Sequence, residues 1–69
     1  MRKIRTNTNA FVRARVFKGM SQKELAQQSG LSPSYISLLE RSVKIVGPAT
    51  AKRLSELLDQ PLDSLFVIE

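Results

Sequence analysis

The 69-residue chain contains neither cysteine nor histidine. That double absence excludes disulfide staples, thiol nucleophiles and the usual zinc-ligand spacings, so a hydrophobic core alone must hold the fold. No carboxylates cluster on one inferred face either, which leaves no general acid, base or nucleophile, and an enzyme is not expected. No apolar run approaches the roughly 18 residues of a membrane span, and Met1-Arg2-Lys3 is not followed by the apolar segment of a signal peptide. A cytoplasmic location is the expectation. Linkers, internal repeats and low-complexity tracts are also missing, and the length suits one small domain without a separate sensing or catalytic unit. Neither a cofactor nor a small-molecule ligand is therefore expected, and function should sit on the surface of that one domain.

What is present in excess is positive charge. The formal net charge is +5, and seven of the eleven basic residues (Arg2, Lys3, Arg5, Arg13, Arg15, Lys18 and Lys23) precede the first acid, Glu24. From Ile45 onward Lys52 and Arg53 face Glu56, Asp59, Asp63 and Glu69. A chain basic at one end and mildly acidic at the other calls for an anionic partner.

Residues 21–40, SQKELAQQSGLSPSYISLLE, carry the strongest local signals. Ser21 with Glu24 three positions later has capping-box spacing, in which hydroxyl and carboxylate each satisfy a free N–H at a helix start. Ser32 before Pro33 marks a second start, because proline's missing N–H costs nothing at the first helical position. Gly30 between them suits the positive φ that ends one helix and turns into the next. Two short helices folded about a glycine, the second with a polar, serine-rich outer face, form an arrangement that reads DNA. At roughly 100° per residue, Ile36, Leu39 and Glu40 share one side of the second helix. Ser34, Leu38 and Arg41 lie nearly opposite, with Ser37 between.

The remaining chain predicts a small all-α domain. A first helix, capped from among Asn7, Thr8 and Asn9, runs to about residue 18 and stops at Gly19, with Phe11, Ala14 and Arg15 on one face. A helix is favoured there although FVRARVF also alternates weakly. Helix 2 buries Leu25 and Ala26, the small alanine allowing a close, steep crossing. After a loop at 42–47, Pro48 opens a fourth helix with Ala51, Leu54, Leu57 and Leu58 as its apolar stripe. Asp59-Gln60-Pro61 breaks it, and Leu62, Leu65 and Phe66 suit a short fifth helix. Residues 1–8 read as a basic arm, 9–66 as the domain and 67–69 as an apolar tail that can fray, extend as a strand or meet a partner.

The ordered set Arg15, Gly19-Met20-Ser21-Gln22, Glu24-Leu25-Ala26, Gly30-Leu31-Ser32, Ser34-Tyr35-Ile36-Ser37, Glu40-Arg41, Pro48 and Leu62-Asp63-Ser64-Leu65-Phe66 resembles the Cro/C1-type (Xre) helix-turn-helix family. The resemblance spans nearly the whole chain beyond the arm. It implies a five-helix, lambda-repressor-like domain and a sequence-specific DNA-binding transcriptional regulator. Such a regulator would act as a repressor, bind a palindromic operator as a homodimer and place helix 3 in the major groove. By that resemblance Gln22 contacts a phosphate, and Pro33, Ser34 and Leu38 reach base edges. Tyr35 and Arg41 clamp the backbone, Lys44 touches phosphate or base, and Ser32 and Ser37 complete the DNA-binding set. Arg15 and Glu40 pair as a structural ion pair that locks helix 3 to helix 1.

Two departures from the family pattern bear on function. Ser42 stands where glycine commonly follows Glu-Arg, which puts the turn geometry there in question. Pro33 replaces a long polar reader, so readout should lean on DNA shape and phosphates. The basic arm, Arg2, Lys3 and Arg5, is placed to track the minor groove. Dimer contacts are expected from Leu62, Phe66, Val67 and Ile68. The competing function is a protein-interaction module of the same fold, antitoxin-like or anti-repressor.

Overall fold

A computed structural model describes residues 3–69; Arg2 of the expected arm lies outside the described residues. The order of elements is β1 (Ile4–Thr6), α1 (Thr8–Phe17), α2 (Gln22–Ser29), α3 (Pro33–Glu40), α4 (Pro48–Leu57), α5 (Leu62–Leu65) and β2 (Phe66–Ile68). The five helices enclose one core, and no helix is long and apolar enough to cross a membrane among the described residues.

Each helix begins where a local signal places it. Asn7 accepts from the N–H of Ala10 to start α1, Ser21 forms both halves of a capping box with Glu24, and Ser32 accepts from the N–H of Tyr35 ahead of Pro33. Pro48 occupies the first turn of α4.

The helix ends share one device. Behind α1, α2, α3 and α4 the chain enters the left-handed region at Gly19 (φ 71°), Gly30 (φ 77°), Ser42 (φ 58°) and Asp59 (φ 53°). The next N–H then reaches back to a carbonyl of the last turn, as from Met20 to Arg15, Leu31 to Ala26, Val43 to Leu38 and Gln60 to Ser55. This is the Schellman closure, which satisfies carbonyls the helix leaves over. Ser42 therefore does not change the turn that glycine would make; it adopts the same one at a steric cost.

The core is built from the faces that periodicity assigned. Phe11, Leu25, Ile36, Leu39, Ala51, Leu54, Leu58 and Leu65 are fully buried, and Ala26 is buried with them. Phe11 meets Phe66 edge to face, with ring centroids 5.9 Å apart at 63°, a geometry worth about 1 kcal/mol beyond area burial. Leu57 and Leu62 are only partly covered.

The chain's two ends differ from expectation. Residues 4–6 of the supposed arm are a strand, paired antiparallel with Phe66–Ile68 in the register Ile4↔Ile68, Arg5↔Val67 and Thr6↔Phe66. Phe66 thus leaves the fifth helix, enters the sheet and is only 2% exposed, its side chain joining the core. The other side of β1 is held by the loop after α3, where Val46 N donates to the carbonyl of Ile4 at 3.1 Å. A second tie runs from Ser42 Oγ to the carbonyl of Thr6 at 2.9 Å.

Candidate nucleic-acid interface

The placement of α3 follows from its two faces. Ile36 and Leu39 are driven into the core, and the spacing that buries them also turns Glu40 inward. There Glu40 Oε2 accepts from Arg15 Nε at 2.5 Å, and Oε1 accepts from Arg15 Nη2 at 3.3 Å and from Gln22 Nε2 at 2.9 Å. Arg15 also donates through Nη1 to the carbonyl of Met20 at 2.7 Å. One carboxylate at the end of α3 thus ties α1, the α1–α2 turn and the first residue of α2 into a rigid unit. The acid nearest the outer face is neutralised internally, leaving that face without negative charge of its own.

The outer surface of α3 is then Ser32, Pro33 and Ser34, all exposed, with Ser37 and Leu38 half-buried beside them. Ser32 Oγ already accepts from the Tyr35 N–H at 3.1 Å. Its own hydroxyl proton remains able to donate to an anionic oxygen. Tyr35 is half-buried and packs against the core. Arg41 and Lys44 are exposed at the far end of the helix and in the following loop. Gln22 opens α2 and donates its amide nitrogen to Glu40; the Glu24 N–H is taken by Ser21 Oγ, so the first-turn main-chain N–H groups left over are those of Gln22 and Lys23.

Ion pairing redistributes the positive charge read from the chain. Lys18 meets Asp59 at 2.7 Å and Arg5 meets Glu69 at 2.6 Å, both at the surface, while Arg15 is held by Glu40. Arg13 lies over the Phe17 ring, 5.8 Å from its centroid. Among the described residues, Lys3, Arg13, Lys23, Arg41, Lys44, Lys52 and Arg53 are exposed and form no salt bridge; of these Lys23 lies in the first turn of α2, Arg41 caps α3 and Lys44 follows in the next loop. Ion pairing therefore removes Arg5, Arg15 and Lys18 from the free positive charge and leaves Lys23, Arg41 and Lys44 available on and after the helix pair. Arg5, paired and built into β1, is not a free arm residue.

Three neighbours of this surface were not singled out by sequence. Lys23 sits in the first turn of α2, and exposed Val43 and Ile45 flank Lys44. The signal for Lys23 was its position beside Gln22; for the two aliphatic residues only the loop's conformation shows that they face solvent. Glu24 also lies in this first turn, its carboxyl held below the ordinary glutamate value, chiefly by the Ser21 main-chain N–H and then by the Ser21 hydroxyl. It faces its own helix start and is tied there.

Comparison with known proteins fits this arrangement. A family model described as helix-turn-helix matches residues 13–65. Among solved structures, the restriction-modification controller protein C.AhdI from Aeromonas hydrophila is 32% identical, covers 83% of each chain and superposes with a TM-score of 0.74. The biofilm master regulator SinR, solved in complex with DNA, is 28% identical over 83% of this chain and 95% of its own, with a TM-score of 0.76. The transcriptional regulator VanUg, at 18% identity and a TM-score of 0.72, shares the fold over 97% of this chain and 88% of its own. No functionally curated protein matches the chain.

Proposed function

Because this chain belongs to the Cro/C1-type helix-turn-helix family of DNA-binding transcription regulators, which are not enzymes, we propose that it is a sequence-specific repressor. It binds a palindromic operator as a homodimer with α3 in the major groove. The observation that carries this reading is the outer face of α3. Ser32, Pro33 and Ser34 stand exposed on it, the unpaired cations Arg41 and Lys44 follow at its C-terminal end with Lys23 in the first turn of α2, and its one acid is turned into the core by Arg15 and Gln22.

The roles divide by chemistry. Ser34 donates to or accepts from a base edge, and Leu38 offers an apolar contact to a thymine methyl. Pro33 fills space without a hydrogen bond, so recognition draws heavily on groove shape. Arg41, Lys44 and Lys23 contact phosphates, joined by the first turn of α2 beside Gln22. Ser32 adds its free hydroxyl proton, while Tyr35 and Ser37 pack the rim. A single domain this size covers little DNA, and two copies on half-sites about one helical turn apart supply the needed affinity and specificity. Occupying the operator suffices to block transcription.

Selection of bound sequences from random duplex DNA at several salt concentrations tests the reading. The expected result is a palindromic consensus whose binding weakens steeply with salt. Absence of any enrichment would sink it in favour of a protein-interaction role for the same fold.

A further inference from the structure

The turn that closes α3 adds an aliphatic residue to the end of its outer face. With Ser42 at φ 58°, the Val43 N–H reaches back to the Leu38 carbonyl and the Ser42 N–H to the Leu39 carbonyl, each at 3.0 Å. In a Schellman closure Leu38 and Val43 hold the two positions that the motif brings together and commonly pairs by apolar contact. Much of that pair remains bare, because Leu38 is only half-buried and Val43 is 60% exposed.

The segment that displays Val43 is braced at both ends. Ser42 Oγ donates to the carbonyl of Thr6 at 2.9 Å and Val46 N to the carbonyl of Ile4 at 3.1 Å, while the Val46 side chain is buried. The β-branch of Val43 restricts its single side-chain torsion as well. Its surface is therefore held in place before any partner arrives, and little ordering entropy opposes covering it.

Charge narrows what can cover it. Arg41 and Lys44 stand on either side of Val43 in the chain, both exposed and in no salt bridge, and the Glu40 carboxylate is held inside by Arg15. A second copy of the chain would bring these cations against themselves. A polyanion that also offers apolar groups suits the patch, which continues the face proposed for DNA. Duplex DNA presents one such group in the major groove, the pyrimidine 5-methyl, which thymine always carries and cytosine carries only when methylated.

We propose that Val43 is a specificity-determining residue outside α3, forming with Leu38 one apolar surface that reads the 5-methyl groups of neighbouring pyrimidines. The proposal deepens the operator-binding reading and rests on it. Recognition is then divided along the helix: Ser34 near the N-terminus works by hydrogen bond, and Leu38 with Val43 at the C-terminal end by methyl contact. Because the contact is to the methyl group alone, 5-methylcytosine satisfies it as thymine does. Binding thereby responds to cytosine methylation at that position of the site.

Base analogues isolate the methyl group. In the operator selected from random duplexes, each thymine is replaced in turn by uracil and each cytosine by 5-methylcytosine, which changes only that group and keeps the pairing. At the position read by Val43, wild type should bind the methylated pyrimidine about fourfold more tightly per half-site, the effect of burying one methyl. Val43→Ala, and Val43→Thr with its hydroxyl, should bind both forms alike there, while the methyl preference at the position read by Leu38 persists. Val16→Ala, altering an exposed aliphatic residue of α1, should keep both preferences. None of these residues belongs to the core, so circular dichroism and thermal melts should match wild type for all three variants. Exchanging the thymine·adenine pair read by Val43 for cytosine·guanine and then methylating the new cytosine should restore about fourfold to wild type and nothing to Val43→Ala. A wild type indifferent to the methyl group at every pyrimidine, or a Val43→Ala whose methyl preferences match wild type throughout, overturns the contact. In either case an enriched palindrome leaves the operator reading standing. Failure to enrich any sequence removes both.

Discussion

Gln22 Nε2 donates to Glu40 Oε1 at 2.9 Å, so the first residue of α2 is tethered to the last residue of α3. Arg15 binds the same carboxylate from α1, and the two charged side chains are only 13% and 7% exposed. A pair this sheltered stabilises little over an apolar replacement, yet losing one member strands the other's charge away from water. Glu40→Ala should cost about 3 kcal/mol, lowering the thermal midpoint by more than 10 °C at roughly 4–8 °C per kcal/mol for a domain this size. Replacing both, as Arg15→Leu with Glu40→Leu, should recover a large part of that loss. Additive effects of the two changes in thermal melts would show that the pair is not coupled.

Ser42 sets a strained main chain against a useful side chain. Its φ of 58° costs a non-glycine residue about 1 kcal/mol or more, while its Oγ bond to the Thr6 carbonyl returns about 1 kcal/mol. Ser42→Gly loses the bond and relieves the strain, so its stability should stay close to wild type. Ser42→Ala loses the bond and keeps the strain, and should fall by about 1 kcal/mol. Urea denaturation of both variants checks the order; an alanine variant as stable as the glycine one would show that the left-handed turn costs nothing here.

The capping box at α2 has a pH signature. Ser21→Ala should cost about 1 kcal/mol. The Glu24 carboxyl is held below the ordinary glutamate value in the folded state, first by the Ser21 main-chain N–H and then by its hydroxyl. A lowered folded pKa means that the ionised side chain favours folding above the unfolded-state value, and that this contribution fades as the pH falls through the folded-state one. The stability difference between wild type and Glu24→Gln should therefore be present at neutral pH and disappear on acidification. A difference that persists in acid would assign the effect to shape rather than charge.

The helices were legible in sequence because their boundaries are local: Ser21 with Glu24, Ser32 with Pro33, Gly30 and Pro48 each act within one turn. The sheet was not, since Ile4 and Ile68 meet across almost the entire chain, and three residues are too few to show alternation against helical flanks. The closures at Ser42 and Asp59 escaped because glycine is the usual sign of a left-handed turn, and tertiary contacts such as Ser42 with Thr6 override that preference. At the interface, the outer face of α3 followed from periodicity alone. The engagement of Gln22 with Glu40, the pairing of Arg5 and Lys18 with acids, and the burial of Phe66 depend on which elements pack together, and no spacing rule conveys that.

The division of labour proposed for the outer face of α3 gives a prediction that separates affinity from specificity. Arg41 is exposed at the end of α3 and forms no salt bridge, its neighbour Glu40 being held by Arg15, so its charge is available to a phosphate. Arg41→Ala should weaken binding to all duplex sequences alike and reduce the slope of log K against log salt by about one unit, because one fewer counterion is released. Ser34 carries no charge and stands on the second position of the helix, where its loss changes no counterion count. Ser34→Ala should leave the salt slope unchanged and relax preference at one base position, a difference of about 1–3 kcal/mol between cognate and substituted sites. Fluorescence anisotropy across a salt series, on the selected operator and on single-base variants, reads both quantities. If Arg41→Ala left the slope untouched while Ser34→Ala reduced it, the two roles would be reversed, and the helix would have to lie in the groove by its C-terminal rather than its N-terminal half.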